Sequence, residues 1–477
     1  MQMDYGISNS HIHLMSLKQE NVCRILPTGL GQVIHRLPVE ILTQIFLFCL
    51  PVNKKLGLST SLSRKEAPLS LCHVCSSWRW IALRTLDLWT FLAMKVSVED
   101  SLVVSERHSQ AASHWFSHAG CRLIDLKLSS RIFDDPDEIF SANFMIQVVR
   151  PRAERIRSLD LSFWNVSDIC CFLDDGDTTP HHPWSFPNLE YLTLHLYTDW
   201  VEEFELTTFS SMPKLHTVVL SGTFHSNEPT ISLPWAQLTS LAIQTIPESL
   251  FRIVISQCPA LETGDFSIVG GDSDEELPIV DLSLTRLTTF SIHFCHGSDP
   301  SLFTGIRFPA LDVFTSYGLS GFNWTPPGHI FRQLAPITTL SLGGHIYCLD
   351  MIDMLCETKN VTTFEVEFAQ GHGEVLRALT LGEEHEVLLP KLSVLHVRLC
   401  SGYLYEPFAM VNFVQMVASR SPGGPAPFGV APLQEVWVEE PIGPVNTLNL
   451  KTEMDAVIEH WSHKTDMPQV RYEKREW

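Results

Sequence analysis

Cys72, His73 and Cys75 stand close enough to begin a metal site, and His181 with His182 offers a pair of imidazoles. Zinc favours such ligands, but a tetrahedral site needs four that converge, and neither group has a second pair at ligand spacing. The acidic clusters Asp174, Asp175, Asp177 and Asp272, Asp274, Glu275, Glu276 supply oxygen without the one-three-five-and-twelve order of a calcium loop. Gly270-Gly271 and Gly343-Gly344 fit turns at strand ends, and no glycine-rich phosphate loop occurs. No Gly-x-Ser-x-Gly elbow presents a serine, and scattered Ser, His and Asp residues make no triad. The expectation is therefore a chain with no catalytic residue, no metal and no cofactor, one that binds other molecules and is not an enzyme.

Composition narrows what it could bind. The 477 residues carry 54 acidic and 33 basic side chains, a net charge of -21, which repels phosphate backbones and anionic membrane surfaces. Nucleic acid and membrane are not expected partners. Arg150, Arg152, Arg155 and Arg157 form a compact basic cluster whose spacing scatters it over a turn. Twelve cysteines at no framework spacing, several of them at apolar positions such as Cys49, Cys75, Cys121 and Cys400, read as reduced thiols. The N-terminal Met-Gln-Met-Asp-Tyr-Gly has neither a basic nor an apolar leader region, and no apolar run approaches a membrane span. A cytoplasmic or nuclear protein is expected.

From Leu123 onward a short pattern returns: an apolar residue, two others, a second apolar residue, one other, and a third. It is clear at Leu123-Leu126-Leu128, Ile156-Leu159-Leu161, Leu189-Leu192-Leu194, Leu215-Val218-Leu220, Leu238-Leu241-Ile243 and Leu287-Phe290-Ile292. It continues at Ile337-Leu340-Leu342, Val361-Phe364-Val366, Leu392-Leu395-Val397 and Leu433-Val436-Val438, with weaker copies near Leu261-Phe266 and Leu311-Phe314. Most copies between Leu189 and Val361 are about 23 to 26 residues apart, the period of leucine-rich repeats, while the outer intervals widen to roughly 31 to 41. The last two apolar positions of each copy face one side of a strand. One copy cannot cover that side alone, so the pattern predicts an irregular solenoid with a parallel sheet on one face. Helical returns are expected over Glu248 to Cys258, Leu349 to Lys359 and Phe408 to Arg420, and Pro187, Pro213, Pro259, Pro309 and Pro390 stop the chain just before strands.

Strand parity then sets the open face. The third, fifth and seventh positions of each copy point outward, among them Tyr191, Thr193 and His195, then Thr289, Ser291 and His293. Thr363, Glu365 and Glu367, Val394, His396 and Arg398, and Glu435, Trp437 and Glu439 follow. Aromatic and arginine side chains carry most interface energy, so Tyr191, His195, His293, Arg398 and Trp437 are the candidate substrate-binding residues. Shielding of Trp437 by the 451–477 tail and of Tyr191 by a loop is the competing expectation.

Upstream of the repeats lies a different element. A helix from Leu37-Pro38 to Pro51 carries Ile41, Leu42, Ile45, Phe46, Cys49 and Leu50, more apolar residues than one stripe needs. A second helix-like run takes in Val74, Cys75, Trp78, Ile81 and Ala82 at core spacing. So small a unit cannot hide all these groups, which predicts a partner.

The stretch His-Arg-Leu-Pro-Val-Glu-Ile-Leu-Thr-Gln-Ile-Phe at 35–46, then Val-Cys-Ser-Ser-Trp-Arg-Trp-Ile-Ala at 74–82 and Leu-Asp-Leu-Trp at 86–89, resembles an F-box. It departs in the gap, where the polar stretch Val52 to Pro68 is longer than in compact versions. His114 to Leu128 is similar to a segment of many fungal F-box proteins, without its usual proline. The resemblance implies docking to a Skp adaptor of a cullin-RING ubiquitin ligase through Leu37, Pro38, Ile41, Leu42, Ile45, Phe46, Val74, Cys75 and Trp78. It further implies presentation of a protein substrate on the other domain. An F-box scaffold that recruits nothing for degradation is the alternative, and an enzyme hidden in the repeats is a third reading. The expected organisation is α/β: a loose tail at 1–34, a helical F-box at 35–90, a helical connector at 91–120, the solenoid at 121–450, and a cap and tail at 451–477.

Overall fold

The computed structural model describes residues 37–53, 57–58, 61–97, 102–131, 148–163, 185–196, 206–222, 224, 231–270, 281–296, 300–318, 334, 336–344, 346, 348–368, 372–382, 387–399, 408–422, 429–441, 448–462 and 467–475. The tail at 1–34, His181-His182, the acidic insertions at 134–138, 174–177, 272–276 and 383–384, Gly271 and Cys400 lie outside the described residues. The chain divides into two units, Met1–Met94 with Gln110–Ile124, and Lys95–Ser109 with Asp125–Trp477. No helix among the described residues is long and apolar enough to cross a membrane.

The first unit carries the helices α1 Val39–Phe48, the single turn α2 Leu69–Cys72, α3 Ser76–Arg84, and a 3₁₀ turn Leu86–Trp89. Pro38 sits at the cap of α1, not inside it, and its carbonyl accepts the N–H groups of Ile41 and Leu42 at 3.1 Å each. Leu42, Phe46 and Leu50, one turn apart, are buried, and the Phe46 ring packs 4.9 Å from that of Trp78. Cys75 opens α3, its Sγ accepting the Trp78 N–H at 3.4 Å in the cap position. Trp89 is buried, donates from Nε1 to the Ala82 carbonyl at 2.9 Å, and meets Trp115 edge-on at 4.9 Å. In the polar stretch after Pro51, Val52–Asn53 pairs antiparallel with Gly57–Leu58.

The connector opens differently from the sequence reading, with strand β1, Phe91–Ser97, ahead of helix α4, Leu102–His118. Leu92 and Met94 alternate inward along β1, a period of two that a helix cannot use. Gly120, at φ 58°, supplies the left-handed residue that ends α4.

The second unit is dominated by a parallel sheet. Its strands are β2 Ile124–Arg131, β3 Ile156–Phe163, β4 Tyr191–Leu196, β5 Thr217–Ser221, β6 Ser240–Pro247, β7 Thr263–Val269, β8 Thr289–His296, β9 Val313–Gly318, β10 Thr339–Gly343, β11 Thr363–Phe368, β12 Val394–Leu399, β13 Glu435–Pro441 and β14 Gln469–Arg475. Each lies beside its neighbours in sequence, and from β3 to β14 every pair is parallel. Equivalent positions are in register, so Leu159, Leu192, Val218 and Leu241 form one buried row and Leu161, Leu194, Leu220 and Ile243 a second. Each such side chain contributes about 1.5–3 kcal/mol by leaving water.

Helices α5 Glu248–Ser256, α6 Cys348–Glu357, α7 His372–Leu379, α8 Met410–Ser419 and α9 Leu448–Ser462 return the chain between parallel strands. Phe251 of α5 joins Phe266, Phe290, Phe303, Phe308 and Phe314 in one aromatic core with ring centroids 5.0 to 6.4 Å apart. Two buried arginines fasten connections. Arg252 donates to the carbonyls of Leu302 and Thr304, at 2.6 and 2.8 Å. Arg420 donates to those of Leu379 and Leu389, at 2.7 and 3.1 Å, and also to Leu388, and burial pulls its guanidinium down to about 10.

Two further elements differ from expectation. Helix α7 was not anticipated, because Gly371 and Gly373 interrupt its start. The 451–477 segment holds a further strand, β14, paired with β13, as well as helix α9.

Candidate functional site

Two surfaces carry the residues singled out from the sequence. On the first unit, α1 presents two apolar stripes of the same spacing. Leu42 and Phe46 face inward and are buried, whereas Ile41, Ile45 and Phe48 face outward, Phe48 with 88% of its surface exposed. Val39 is also exposed, and so are Val74 at 59% and Trp80 at 50%. Pro38 is exposed and Leu37, Cys75 and Trp78 are half-buried, Cys75 being turned into the cap of α3 and Trp78 against Phe46. Cys72 is buried, its thiol pushed up by burial and only partly offset by Arg79, while His73 is exposed.

A cleft of about 400 Å³ opens in the same unit between α1 and the end of α3, lined by Val39, Thr43, Trp80, Arg84, Leu86 and Arg122 among others. The Arg84 guanidinium lies 4.3 Å over the Trp80 ring, and Arg122 pairs with Asp87 at 3.2 Å. A large apolar side chain left in water costs free energy that a partner recovers.

The second surface is the outward face of the sheet. At its start Arg157 grips Asp125 through two hydrogen bonds of 3.0 and 2.6 Å, and Lys127 pairs with Asp160 on the next strand. Arg152 donates to the Val148 carbonyl at 2.9 Å, so the basic cluster at 150–157 is held by its own surroundings. Tyr191 is 42% exposed with its ring edge on His216, and His195 bonds Ser221 on the adjacent strand. Burial holds His195 below the usual imidazole range, Asp160 opposing and Lys127 reinforcing it.

From β7 to β14 the face becomes one connected network. His293 lies 3.4 Å from Asp265 and stacks on Tyr317, with centroids 5.4 Å apart and planes at 13°. The Tyr317 hydroxyl meets Ser341 Oγ at 2.9 Å and accepts Arg398 Nη1 at 2.9 Å. Arg398 also reaches Glu365 at 3.1 Å and Glu439 at 3.4 Å. Glu365 pairs in addition with His396 at 3.4 Å. His396 in turn tilts against Trp437 at 5.6 Å, and Arg471 covers the other aromatic contact of Trp437, its guanidinium 4.5 Å from the ring and 3.5 Å from Glu435.

Charge states follow from these contacts. The His396 hydrogen bond holds the Glu365 carboxyl below its usual range, against an opposing effect of burial and with help from Arg398 and Ser341. For Arg398, burial lowers the guanidinium, but Tyr317, Glu365, Glu439 and Glu367 together reverse this and leave it raised. Arg398 therefore remains a fixed cation inside a ring of acceptors.

The structure thus joins three of the five proposed sheet residues, His293, Arg398 and Trp437, through Tyr317, Glu365 and His396. Tyr191 and His195 lie on β4, with three strands intervening before β8. Tyr317 was missed although it occupies the outward seventh position of its copy, because that copy carries a serine, Ser316, where others are apolar. Arg471 was missed with its strand. Trp437 carries Arg471 of the 451–477 segment over its ring, the arrangement that one of the two competing expectations described.

No model of a known protein family matches the chain, and no curated protein matches it.

Proposed function

We propose that the chain is an F-box protein, the substrate-recognition adaptor of a Skp-cullin-F-box type ubiquitin ligase, working in the cytoplasm or nucleus. The F-box at 35–90 docks a Skp-type adaptor, and the parallel sheet is the open side of an irregular leucine-rich-repeat solenoid that holds a protein substrate. The chain itself performs no chemistry. The observation that carries this reading is the second apolar stripe of α1: Ile41, Ile45 and Phe48 remain exposed after Leu42 and Phe46 have closed the unit's own core. A lone folded unit has no use for that stripe, and a helical partner does. In-register parallel strands in sequence order, with one face buried, support the repeat reading.

The test is co-expression of the full chain with a Skp-type adaptor, cullin and RING protein, followed by ubiquitylation of whatever the chain captures. Co-purification with ubiquitin transfer to captured protein is expected. Co-purification without transfer would favour a non-degradative scaffold, and no co-purification would remove the F-box assignment.

A further inference from the structure

The sheet face also indicates what kind of substrate it takes. On β11 to β13 four carboxylates share the outward side, Glu365, Glu367, Glu435 and Glu439, all half-buried rather than waving in solvent. The cations near them are already engaged. Arg398 is held by Glu365, Glu439 and Tyr317, and Arg471 by Glu435 and the Trp437 ring. Neither offers a forked guanidinium to an incoming phosphate, and such a fork is what phosphate recognition uses.

Four negative charges against two positive leave the face acidic, within a chain whose overall charge is already -21. Two flat groups, Trp437 and Tyr317, lie beside the carboxylates. Tyr317 is laid down over Gly343, where any Cβ would come within 2.1 Å of its ring, so the face has been built low and wide there. Lysine and arginine pack on such rings while their heads reach carboxylates, and Arg471 already does so on Trp437, its guanidinium 4.5 Å from the ring and 3.5 Å from Glu435.

We propose that this face receives an extended cationic segment of a protein partner, rich in lysine or arginine and unphosphorylated. The proposal rests on the sheet being the substrate surface. It is argued from charge complementarity: an acidic, aromatic face with its own cations neutralised attracts a basic chain and repels a phosphorylated or acidic one.

The test uses the purified full chain and a fluorescent twelve-residue peptide alternating lysine with serine, alongside the same peptide carrying phosphoserines. Two variants each remove three charges: Glu367→Gln with Glu435→Gln and Glu439→Gln on the face, and Asp353→Asn with Glu357→Gln and Glu453→Gln on exposed helix positions. Glu367→Lys alone is a third variant that leaves the Arg398 pairs with Glu365 and Glu439 in place, should the triple face variant fold poorly. The expected result is binding of the basic peptide that weakens at least tenfold in the face variant and in Glu367→Lys, changes less than twofold in the helix variant, and is at least tenfold weaker for the phosphopeptide. Equal weakening in face and helix variants, preference for the phosphopeptide, or no binding of the basic peptide would overturn the proposal. Peptide binding needs no Skp-type adaptor, so its failure is separable from failure of the ligase reading, which co-purification measures.

Discussion

Arg398 donates to the Tyr317 hydroxyl at 2.9 Å although 81 positions separate them in sequence and two strands, β10 and β11, lie between theirs. Neighbouring strands are about 4.8 Å apart, so the two side chains together cross about 14 Å of sheet and must lie flat along it. That posture makes the middle of the face a preformed polar surface.

Removing the hydroxyl therefore has a stability consequence beyond one strand. Tyr317→Phe leaves Arg398 its carboxylates but takes away its neutral acceptor and one of the two partners of Ser341, which keeps Glu365, at a cost of about 1–2 kcal/mol. Tyr191→Phe, on the same face, is expected to stay within about 0.5 kcal/mol of the native chain. Urea denaturation of both variants checks the contrast.

Arg420 is a stronger case because it has no solvent to fall back on. Arg420→Met removes the guanidinium from three buried carbonyls, those of Leu379, Leu388 and Leu389, of which Leu389 keeps the Leu392 N–H. The expected loss is about 3–5 kcal/mol, read from the denaturation midpoint at unchanged slope.

Ser316 runs the other way. It is fully buried in the row shared by Ile292 and Leu342, and its hydroxyl has no hydrogen-bond partner among the described residues. Ser316→Ala is expected to stabilise the chain by about 1 kcal/mol, since burying an unmade hydrogen bond costs more than losing the group. A lower denaturation midpoint for this variant would contradict the assignment of that hydroxyl.

Acid should destabilise the chain in two steps. His118 is held below the ordinary 6.5 by burial and by His114, and His195 by burial and Lys127 against Asp160. The unfolded chain takes up these protons first, so their contribution is complete above 6.5 and is lost as pH falls below it toward the folded values. Glu365, lowered from the ordinary 4.5, contributes above that value and loses its share as pH falls further through its folded pKa. Melting temperatures should hold above about pH 7, decline below 6.5 and decline again below 4.5. His118→Gln with His195→Gln should flatten the first decline only.

Much of this architecture could be read from residue order, for a physical reason. Alternation survives burial on one face, so every strand from β2 to β13 lies on an apolar pattern recognised beforehand, and parity alone pointed His293, Arg398 and Trp437 outward. The weak copies are weak where the core fills itself unusually. At Gly264 the rings of Phe266 and Phe290 occupy the space of the missing side chain, within 2.9 and 3.3 Å of where its Cβ would be. Strand β14 escaped because Val470 and Tyr472 alternate with Arg471 and Glu473, so its composition reads as a charged tail. In α1 both stripes have i, i+3 or i, i+4 spacing, and spacing cannot say which faces inward; Phe48, the most exposed of them, was not singled out at all. Neither the reach of Arg398 to Tyr317 nor the stacking of Arg471 on Trp437 has any local signature.

The most direct test is the affinity of the purified full chain for a purified Skp-type adaptor, native against Ile41→Glu with Phe48→Glu. Both positions are exposed, so the variant should keep the native melting temperature. Two centrally placed contacts are worth about 3 kcal/mol together, so the account predicts binding by the native chain and a loss of ~100-fold or more in the variant. Equal affinity of the two proteins, or no binding by either, would contradict it.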